Sequence, residues 1–250
     1  MSNRTAAVAI ALLLAGCARE AMGPDEVLSV ALDPPSFPAV VVGDSLRDTA
    51  GVARALRAQA YNFRGDVVPG ATFHYFALDR GVTVDSATGV VRGDSLRETP
   101  VRVVAALGSL QTQTRQLAVV PRPDSLAVVT GLDTLRYSLL DSTVNVSRSL
   151  DVRLLHLAAP ESRVRSWIVT FAITHPGDTL LASLTGDAGA PSRVDTTGTD
   201  GLAGRRIRVR TERFVSPQDS VVVLASARYR GMHVRGSPAR LVVHLRPQGP

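Results

Sequence analysis

Hydrophobic and polar positions alternate in short segments along most of this chain. Leu241, Val243 and Leu245 occupy alternate positions, with His244 between the last two, and a similar pattern covers residues 167–173 and 221–229. Because successive side chains of a strand point to opposite faces of its sheet, each segment predicts a strand with one buried face. Gly, Pro, Asp and Asn separate the segments, and no helical period of useful length occurs. The pattern predicts an all-β chain of two-layer sandwiches.

The N terminus has a different pattern. An apolar run from Ala6 follows Arg4 and ends in the sequence LAGC at residues 14–17. A basic start, about ten apolar residues and small residues before a cleavage point are the parts of a secretory signal, and the run is too short to span a bilayer. The segment resembles the signal of bacterial lipoproteins, which implies cleavage before Cys17 and lipid attachment to its sulfur.

The expected domain organisation follows from this signal. Residues 1–16 are predicted to be the lipoprotein signal peptide, and residues 17–26, which include Gly23 and Pro24, a tether. The remaining chain of 250 − 16 = 234 residues is long enough for two domains of ordinary size. No other apolar stretch approaches the length of a membrane-spanning helix.

A short internal repeat, the echo segments at residues 44–47 and 133–136, indicates where one domain ends. The sequence DSLR at residues 44–47 returns as DTLR at residues 133–136, a separation of 89 residues. This is a typical spacing for consecutive β-sandwich domains. Pro121-Arg122-Pro123 lies between the two copies, and proline cannot donate to a central ladder. We therefore expect one domain at residues 27–121 and a second at 122–250.

Three motifs of the first domain resemble the signatures of bacterial Ig-like domains. They are VVGDSL at 41–46, GDVVPGA at 65–71 and VDSATGVV at 84–91, of which the last is the most specific. In physical terms, Thr88-Gly89 permits the positive φ of a tight turn. The resemblance covers residues 27–121 and implies an immunoglobulin-like sandwich.

The second domain is similar to the invasin and intimin type of Ig-like repeat. The similarity is carried by TDGLAG at 199–204, DSV at 219–221 and GSP at 236–238. It implies a second sandwich in which Trp167 fills the position that a core tryptophan occupies in many Ig folds. The cysteine pair that packs against this tryptophan in antibody domains is absent, so packing is expected to supply the stability.

Composition narrows the chemistry. The single cysteine, Cys17, belongs to the lipid signal, which leaves no thiol for a disulfide, a thiolate metal site or nucleophilic catalysis. All 28 basic residues are arginine, and removal of Arg4 leaves 27 against 22 acidic residues, a formal charge of +5. We expect no cofactor and no resident metal. The possibility that Asp195 and Asp200 bind calcium stays open, although an EF-hand pattern is missing.

Two short motifs, GDSL and RGD, occur in proteins with known activities. In this chain, the β-strand and turn pattern accounts for both. GDSL at residues 43–46 and 93–96 matches a serine esterase motif, but no α/β pattern surrounds it and no base is apparent for Ser45 or Ser95. RGD at residues 64–66 and 92–94 occurs in some adhesins, but Gly-Asp is also ordinary turn chemistry. The five histidines show no spacing typical of zinc ligands. We predict no catalytic residues and no enzyme activity.

A basic stripe is the remaining candidate surface. Arg206, Arg208 and Arg210 occupy one face of a predicted strand, with Arg228, Arg230 and Arg235 following closely. Such a stripe suits an anionic polymer, but nucleic-acid readers combine it with exposed aromatic residues, which make up only 4% of this chain. Nucleic acid is therefore not an expected partner.

The sequence predicts a lipid-anchored, non-catalytic protein of the cell envelope, with tandem Ig-like domains acting as a spacer or adhesion module. The membrane, reached through Cys17, is the expected partner, and Ala18 after the cysteine favours the outer membrane. The alternative is a specific binding module for an envelope polysaccharide or protein, using loops or the arginine stripe.

Overall fold

The computed structural model describes residues 26–158, 162–177, 180–213 and 219–248. Regular structure within these ranges is almost entirely β-strand, apart from single 3₁₀ turns at Ser142–Val144 and Thr211–Arg213. The predicted all-β class, with two tandem immunoglobulin-like sandwiches, is confirmed. The signal, Cys17 and nearly all of the expected tether lie outside the described residues.

The N-terminal sandwich is built from short strands. They are β1 (Ser29–Leu32), β2 (Ala39–Val41), β3 (Ala58–Tyr61), β4 (His74–Ala77), β5 (Val82–Val84), β6 (Val91–Gly93), β7 (Val101–Leu107), β8 (Leu110–Gln111) and β9 (Arg115–Val120). One sheet has the order β2-β9-β7-β4, with β8 added to β7, and the pairs β1-β3 and β5-β6 form the other layer. β2 runs parallel to β9, and all the other pairs are antiparallel.

The C-terminal sandwich has longer strands. They are β10 (Ser125–Thr130), β11 (Leu132–Tyr137), β12 (Leu150–His156), β13 (Ser162–Arg163), β14 (Ile168–His175), β15 (Ala182–Thr185), β16 (Val194–Thr196), β17 (Leu202–Val209), β18 (Ser220–Ser226), β19 (Arg228–Tyr229), β20 (Met232–His233) and β21 (Ala239–Pro247). Its sheets have the orders β10-β12-β17-β15 and β11-β21-β18-β14-β16, and β19-β20 is a separate hairpin. β11 runs parallel to β21.

The alternating segments bury the faces that the sequence predicts. Val221, Val223 and Ala225 of β18 are buried, and so are Leu241 and Val243 of β21. The residues between them are partly or fully exposed. Burial of these β-branched and aliphatic side chains between the sheets supplies the main favourable free energy of folding.

The turn between β5 and β6 has the chemistry expected from its sequence. The carboxylate of Asp85 accepts hydrogen bonds from the backbone N–H groups of Ala87, at 3.1 Å, and Thr88, at 2.7 Å. Gly89 then adopts a φ of 71°, and a Cβ at this position would lie 2.9 Å from the carbonyl oxygen of Leu56. Glycine is thus favoured here for both its conformation and its size.

The two echo segments lie in related but not equivalent places. In each sandwich, the strand associated with the segment runs parallel to the last strand. These pairs are β2 with β9 and β11 with β21. Residues 133–136 lie within β11, whereas residues 44–47 follow the end of β2. The carboxylate of Asp133 accepts the backbone N–H of Arg148, while Asp44 has a different set of partners, described below.

A short connector joins the sandwiches. β9 ends at Val120, β10 begins at Ser125, and Pro121-Arg122-Pro123 lies between them, where the domain boundary is predicted. Every ladder between named strands joins strands on the same side of this connector. Contacts between the sandwiches therefore come from loops and side chains.

Candidate functional site

The junction between the sandwiches is the most elaborate arrangement of side chains in the described residues. Its N-terminal half is the loop that follows β2, where Gly43 has a φ of 78° and Asp44 comes next. Its C-terminal half is the β19-β20 hairpin, in which Tyr229 pairs with Met232. The two residues between that pair both have positive φ, 51° at Arg230 and 79° at Gly231, as in the tight hairpin turns that twist with their strands.

Asp44 is the centre of the junction, and its side chain is only 6% exposed. Arg47 donates to both carboxylate oxygens, from Nε at 2.9 Å and from an Nη at 2.9 Å. From the other sandwich, the Tyr229 hydroxyl donates at 2.7 Å and Arg230 Nε at 2.9 Å. The backbone N–H of Ser45 adds a fifth bond at 2.8 Å. One buried carboxylate thus binds both sandwiches.

These contacts set the ionisation of the group. Burial by itself would raise the pKa of Asp44, but hydrogen bonds from Arg47, Arg230 and Tyr229 outweigh burial and hold the pKa well below its usual range. Burial and donation to Asp44 raise the pKa of the Tyr229 hydroxyl. The junction therefore holds a carboxylate anion and a neutral phenol at neutral pH.

Aromatic packing lies beside this polar cluster. The rings of Phe37, from the N-terminal sandwich, and Trp167, from the C-terminal one, have centroids 4.6 Å apart and an interplanar angle of 56°. Trp167 also meets Tyr229 edge-on at 6.1 Å, and its Nε1 donates to the carbonyl of Arg228 at 3.1 Å. Trp167 is buried, as predicted, but it packs across the junction and does not lie solely within the core of one sandwich.

The backbones of the two halves approach closely. A Cβ built on Gly51 would lie 2.1 Å from the backbone nitrogen of Gly231 and 2.3 Å from the carbonyl carbon of Arg230. The cavity left between the halves is about 20 Å³, room for roughly one water molecule. A guanidinium nitrogen of Arg165 also donates to the carbonyl of Arg97 across the junction. The interface is close-packed over its centre.

Neither GDSL string is arranged for nucleophilic catalysis. In the first, the aspartate is occupied by the junction contacts, and Ser45 forms an antiparallel bridge with Arg92. In the second, the backbone N–H of Ser95 donates to the carbonyl of Gly81. Within the described residues, no imidazole forms a hydrogen bond with either serine hydroxyl.

The two RGD strings differ in environment. Residues 64–66 form an exposed turn in which the Asn62 side chain accepts the backbone N–H groups of Arg64 and Asp66. Residues 92–94 are fixed by strand pairing, because Gly93 is buried in β6, where a Cβ would lie 2.6 Å from the carbonyl oxygen of Val41. Only the first is presented as a free turn.

The histidines and the calcium candidates are dispersed. Among the described residues there is no group of three or more His, Cys, Asp or Glu side chains that could hold a metal ion. Asp195 accepts the backbone N–H of Gly204 and pairs with Arg205 at 3.1 Å, while Asp200 accepts the N–H of Leu202. Both candidate ligands are thus engaged in local contacts.

The arginine stripe has the predicted alternation along β17 and at Arg210, the residue after the strand. Ile207 and Val209 are buried, whereas Arg206 and Arg210 are exposed and Arg208 is half-buried. Arg206 makes one 3.4 Å contact with the exposed Asp187. Arg230, which the sequence pattern grouped with the stripe, donates instead to Asp44 at the junction.

Sequence reasoning missed the buried Arg205, which points to the opposite face of β17 from its neighbours. It pairs with Asp195 of β16, which belongs to the other sheet, and donates to the carbonyls of Val194 and Gly204. This pair joins the two layers of the sandwich. An arginine at a buried position of an alternating segment is the only sequence signal for it.

Comparisons with known proteins show no family and only loose structural similarity. No protein-family model matches the sequence, and the search of curated proteins found no match. Among solved structures, domains 4 and 5 of the S-layer protein SbsC share 12% identity at a TM-score of 0.30, with 88% of this chain and 99% of that one covered. The adhesin InvE of Yersinia pseudotuberculosis shares 12% at 0.34, covering 87% and 58%, and human desmocollin-1 shares 13% at 0.28, covering 87% and 35%.

The overlap at these TM-scores is loose, so the two-sandwich fold rests on the strand pairing of this chain itself. None of the helical segments in the described residues has the length and hydrophobicity of a membrane-spanning helix.

Proposed function

We propose that this chain is a non-catalytic, lipid-anchored protein of the cell envelope that acts as a stiff spacer and adhesion module. The junction carries this proposal. A flexible pair of domains needs only a linker, whereas here Tyr229 and Arg230 of the second sandwich both donate to Asp44, and Phe37 packs against Trp167. Two sandwiches in fixed orientation hold the far end of the protein at a set distance from its attachment point.

The anchor, a lipid on Cys17, is proposed from the LAGC sequence at residues 14–17, and the outer membrane is proposed from Ala18 after the cysteine. An acyl-modified cysteine with more than one chain provides stable attachment. Cell fractionation of the Cys17→Ser variant tests this step. We expect the variant to leave the membrane fraction, and membrane recovery equal to that of the unchanged protein would contradict the anchor.

Stiffness has a separate test. Small-angle X-ray scattering of the protein should give one sharply defined maximum dimension, and the double variant Phe37→Ala/Asp44→Ala should give a broader distance distribution. The variant Arg206→Ser, which changes an exposed side chain that takes no part in the junction contacts, is the matched control. Identical broad distributions for all three proteins would contradict a fixed spacer.

A second candidate function, binding of an envelope polysaccharide or protein, is favoured by one observation. An open cleft of about 450 Å³ lies between β14 and β15 and is lined by Ser183 and Arg193, among others. Ser183 is the ladder partner of Arg208, so the cleft adjoins the arginine stripe. Retention on an immobilised acidic polysaccharide, lost in the triple variant R206S/R208S/R210S, would support this function, and equal retention would remove the stripe from consideration.

A further inference from the structure

Three large apolar side chains are exposed together at one end of the N-terminal sandwich. Leu28 is 50% exposed, Phe63 49% and Val67 54%. The backbone N–H of Leu28 donates to the carbonyl of Tyr61, and Tyr61 and Val67 face each other in an antiparallel bridge. We call Leu28 and the turn at residues 62–67 the tip.

The tip lies at the end away from the second sandwich. β1 contacts β8, which forms a hairpin with the end of β7 around Gly108. β9 follows this hairpin and runs from Arg115 to Val120, where the connector to the second sandwich begins. The tip and the junction are therefore at opposite ends of the N-terminal sandwich.

The same end receives the chain from its attachment point. Cys17 and Glu26, the first described residue, are 26 − 17 = 9 positions apart. Nine residues reach at most about 30 Å even when fully extended. With a lipid on Cys17, this tether keeps the start of the folded chain, and the tip beside it, within about 30 Å of the bilayer.

The chemistry of the tip suits the boundary between headgroups and acyl chains. The guanidinium of Arg64 lies 5.1 Å from the centroid of the Phe63 ring, which pairs an apolar ring with a cation that phosphate can bind. The turn is held in shape by the hydrogen bonds of the Asn62 side chain, so Phe63 is presented on an ordered loop. Asp66 and Glu26 also lie at this end and limit its preference for strongly anionic lipid.

We propose that the tip rests in the headgroup layer of the bilayer that carries the lipid anchor, so that the two sandwiches stand away from the membrane. This inference rests on the proposed lipid at Cys17. Leu28, Phe63 and Val67 enter the interface as a small apolar wedge, and the acyl chains of Cys17 supply the attachment. The wedge fixes the orientation of the protein on the surface.

Depth-dependent fluorescence quenching tests the proposal on the full lipidated protein. Because Cys17 is the only cysteine and its sulfur is blocked by lipid, Phe63→Cys introduces a single thiol for an environment-sensitive fluorophore. In phosphatidylcholine vesicles containing lipids with a shallow spin label, we expect quenching at least twofold stronger than for the same fluorophore at Leu140→Cys. Leu140 is a fully exposed residue of the C-terminal sandwich and serves as the matched control.

The outcomes separate the two proposals. Protein that floats with the vesicles but shows equal quenching at both positions overturns tip docking and leaves the anchor intact. Protein that does not float overturns the anchor, and tip docking with it. In a second variant, Phe63→Asp with the fluorophore at Val67→Cys, we expect quenching to fall at least twofold relative to Val67→Cys alone, and no change would also overturn docking.

Discussion

The hydroxyl of Tyr229 donates a 2.7 Å hydrogen bond to the carboxylate of Asp44, which lies 185 positions earlier in the chain. The bond joins a hairpin of the C-terminal sandwich to a loop of the N-terminal one. A charged acceptor makes this bond stronger than an ordinary one, and its burial makes the loss of either partner costly. The relative placement of the two sandwiches therefore affects the stability of the whole chain.

Acid should weaken this junction in a defined direction. The pKa of Asp44 is lower in the folded protein than in the unfolded chain, where it lies near 3.9, so the carboxylate stabilises the fold above that pH and the contribution is lost as the pH falls. We expect the free energy of unfolding of the protein to decrease more steeply than that of Asp44→Asn between about pH 5 and pH 2. Urea unfolding at several pH values measures both slopes. Equal pH dependence of the free energy of unfolding in the two proteins would contradict a lowered pKa of Asp44 in the folded state.

Removal of the Phe37 ring should loosen the junction and expose Trp167. Loss of a buried phenylalanine costs about 3 kcal/mol, because the transfer free energy is lost and a cavity remains. Trp167 is the only tryptophan, so its emission should also shift to longer wavelength in Phe37→Ala. Phe63→Ala, at an exposed site, is the control, with an expected cost of about 1 kcal/mol or less and no shift.

Gly51→Ala should destabilise the protein by more than its backbone conformation explains. Gly51 and Gly65 have similar positive φ values, 85° and 82°, but a Cβ at Gly65 meets nothing within 4 Å, whereas one at Gly51 collides with the backbone of Gly231. Gly65→Ala should therefore cost about 1 kcal/mol, and Gly51→Ala clearly more. Denaturation and scattering of both variants measure this difference, and equal losses would show that the halves can separate without cost.

Two neighbouring arginines of β17 should differ sharply in their contribution to the stability of the protein. Arg205→Ala removes the ion pair between the sheets and leaves Asp195 without its cation, which should cost about 1 to 3 kcal/mol. Arg206→Ala removes an exposed side chain and should change stability by about 0.5 kcal/mol or less. Thermal or chemical unfolding of the two variants makes the comparison. Similar losses for both would show that the buried pair adds nothing.

The strands were predictable because their information is local. Burial of Phe171 in β14 and of Val223 in β18 follows from alternation, which is a property of adjacent residues. The turn at Thr88-Gly89 was also predictable, because positive φ has few acceptable residues. The contact of Trp167 with Phe37 was not, because it depends on how the two sandwiches are placed relative to each other.

The hydrogen bonds around Asp44 could not be predicted from the sequence for a related reason. From the sequence, the segment containing Asp44 indicated an Ig-like motif, a repeat or an esterase motif, and Arg230 indicated part of a basic stripe. The signal available was indirect, since Arg230 occupies a turn position with a φ of 51°, where asparagine or glycine is usual. Its hydrogen bond to Asp44 gives a physical reason for arginine at that position.

The parallel pairing of β2 with β9, and of β11 with β21, has a mechanical consequence. In each sandwich, the second strand and the last strand run side by side in the same direction. A pull between the two ends of the chain drags these neighbours past each other lengthwise, so the hydrogen bonds of a ladder must rupture as a group rather than one after another. A protein with this geometry resists being stretched when its two ends are pulled apart.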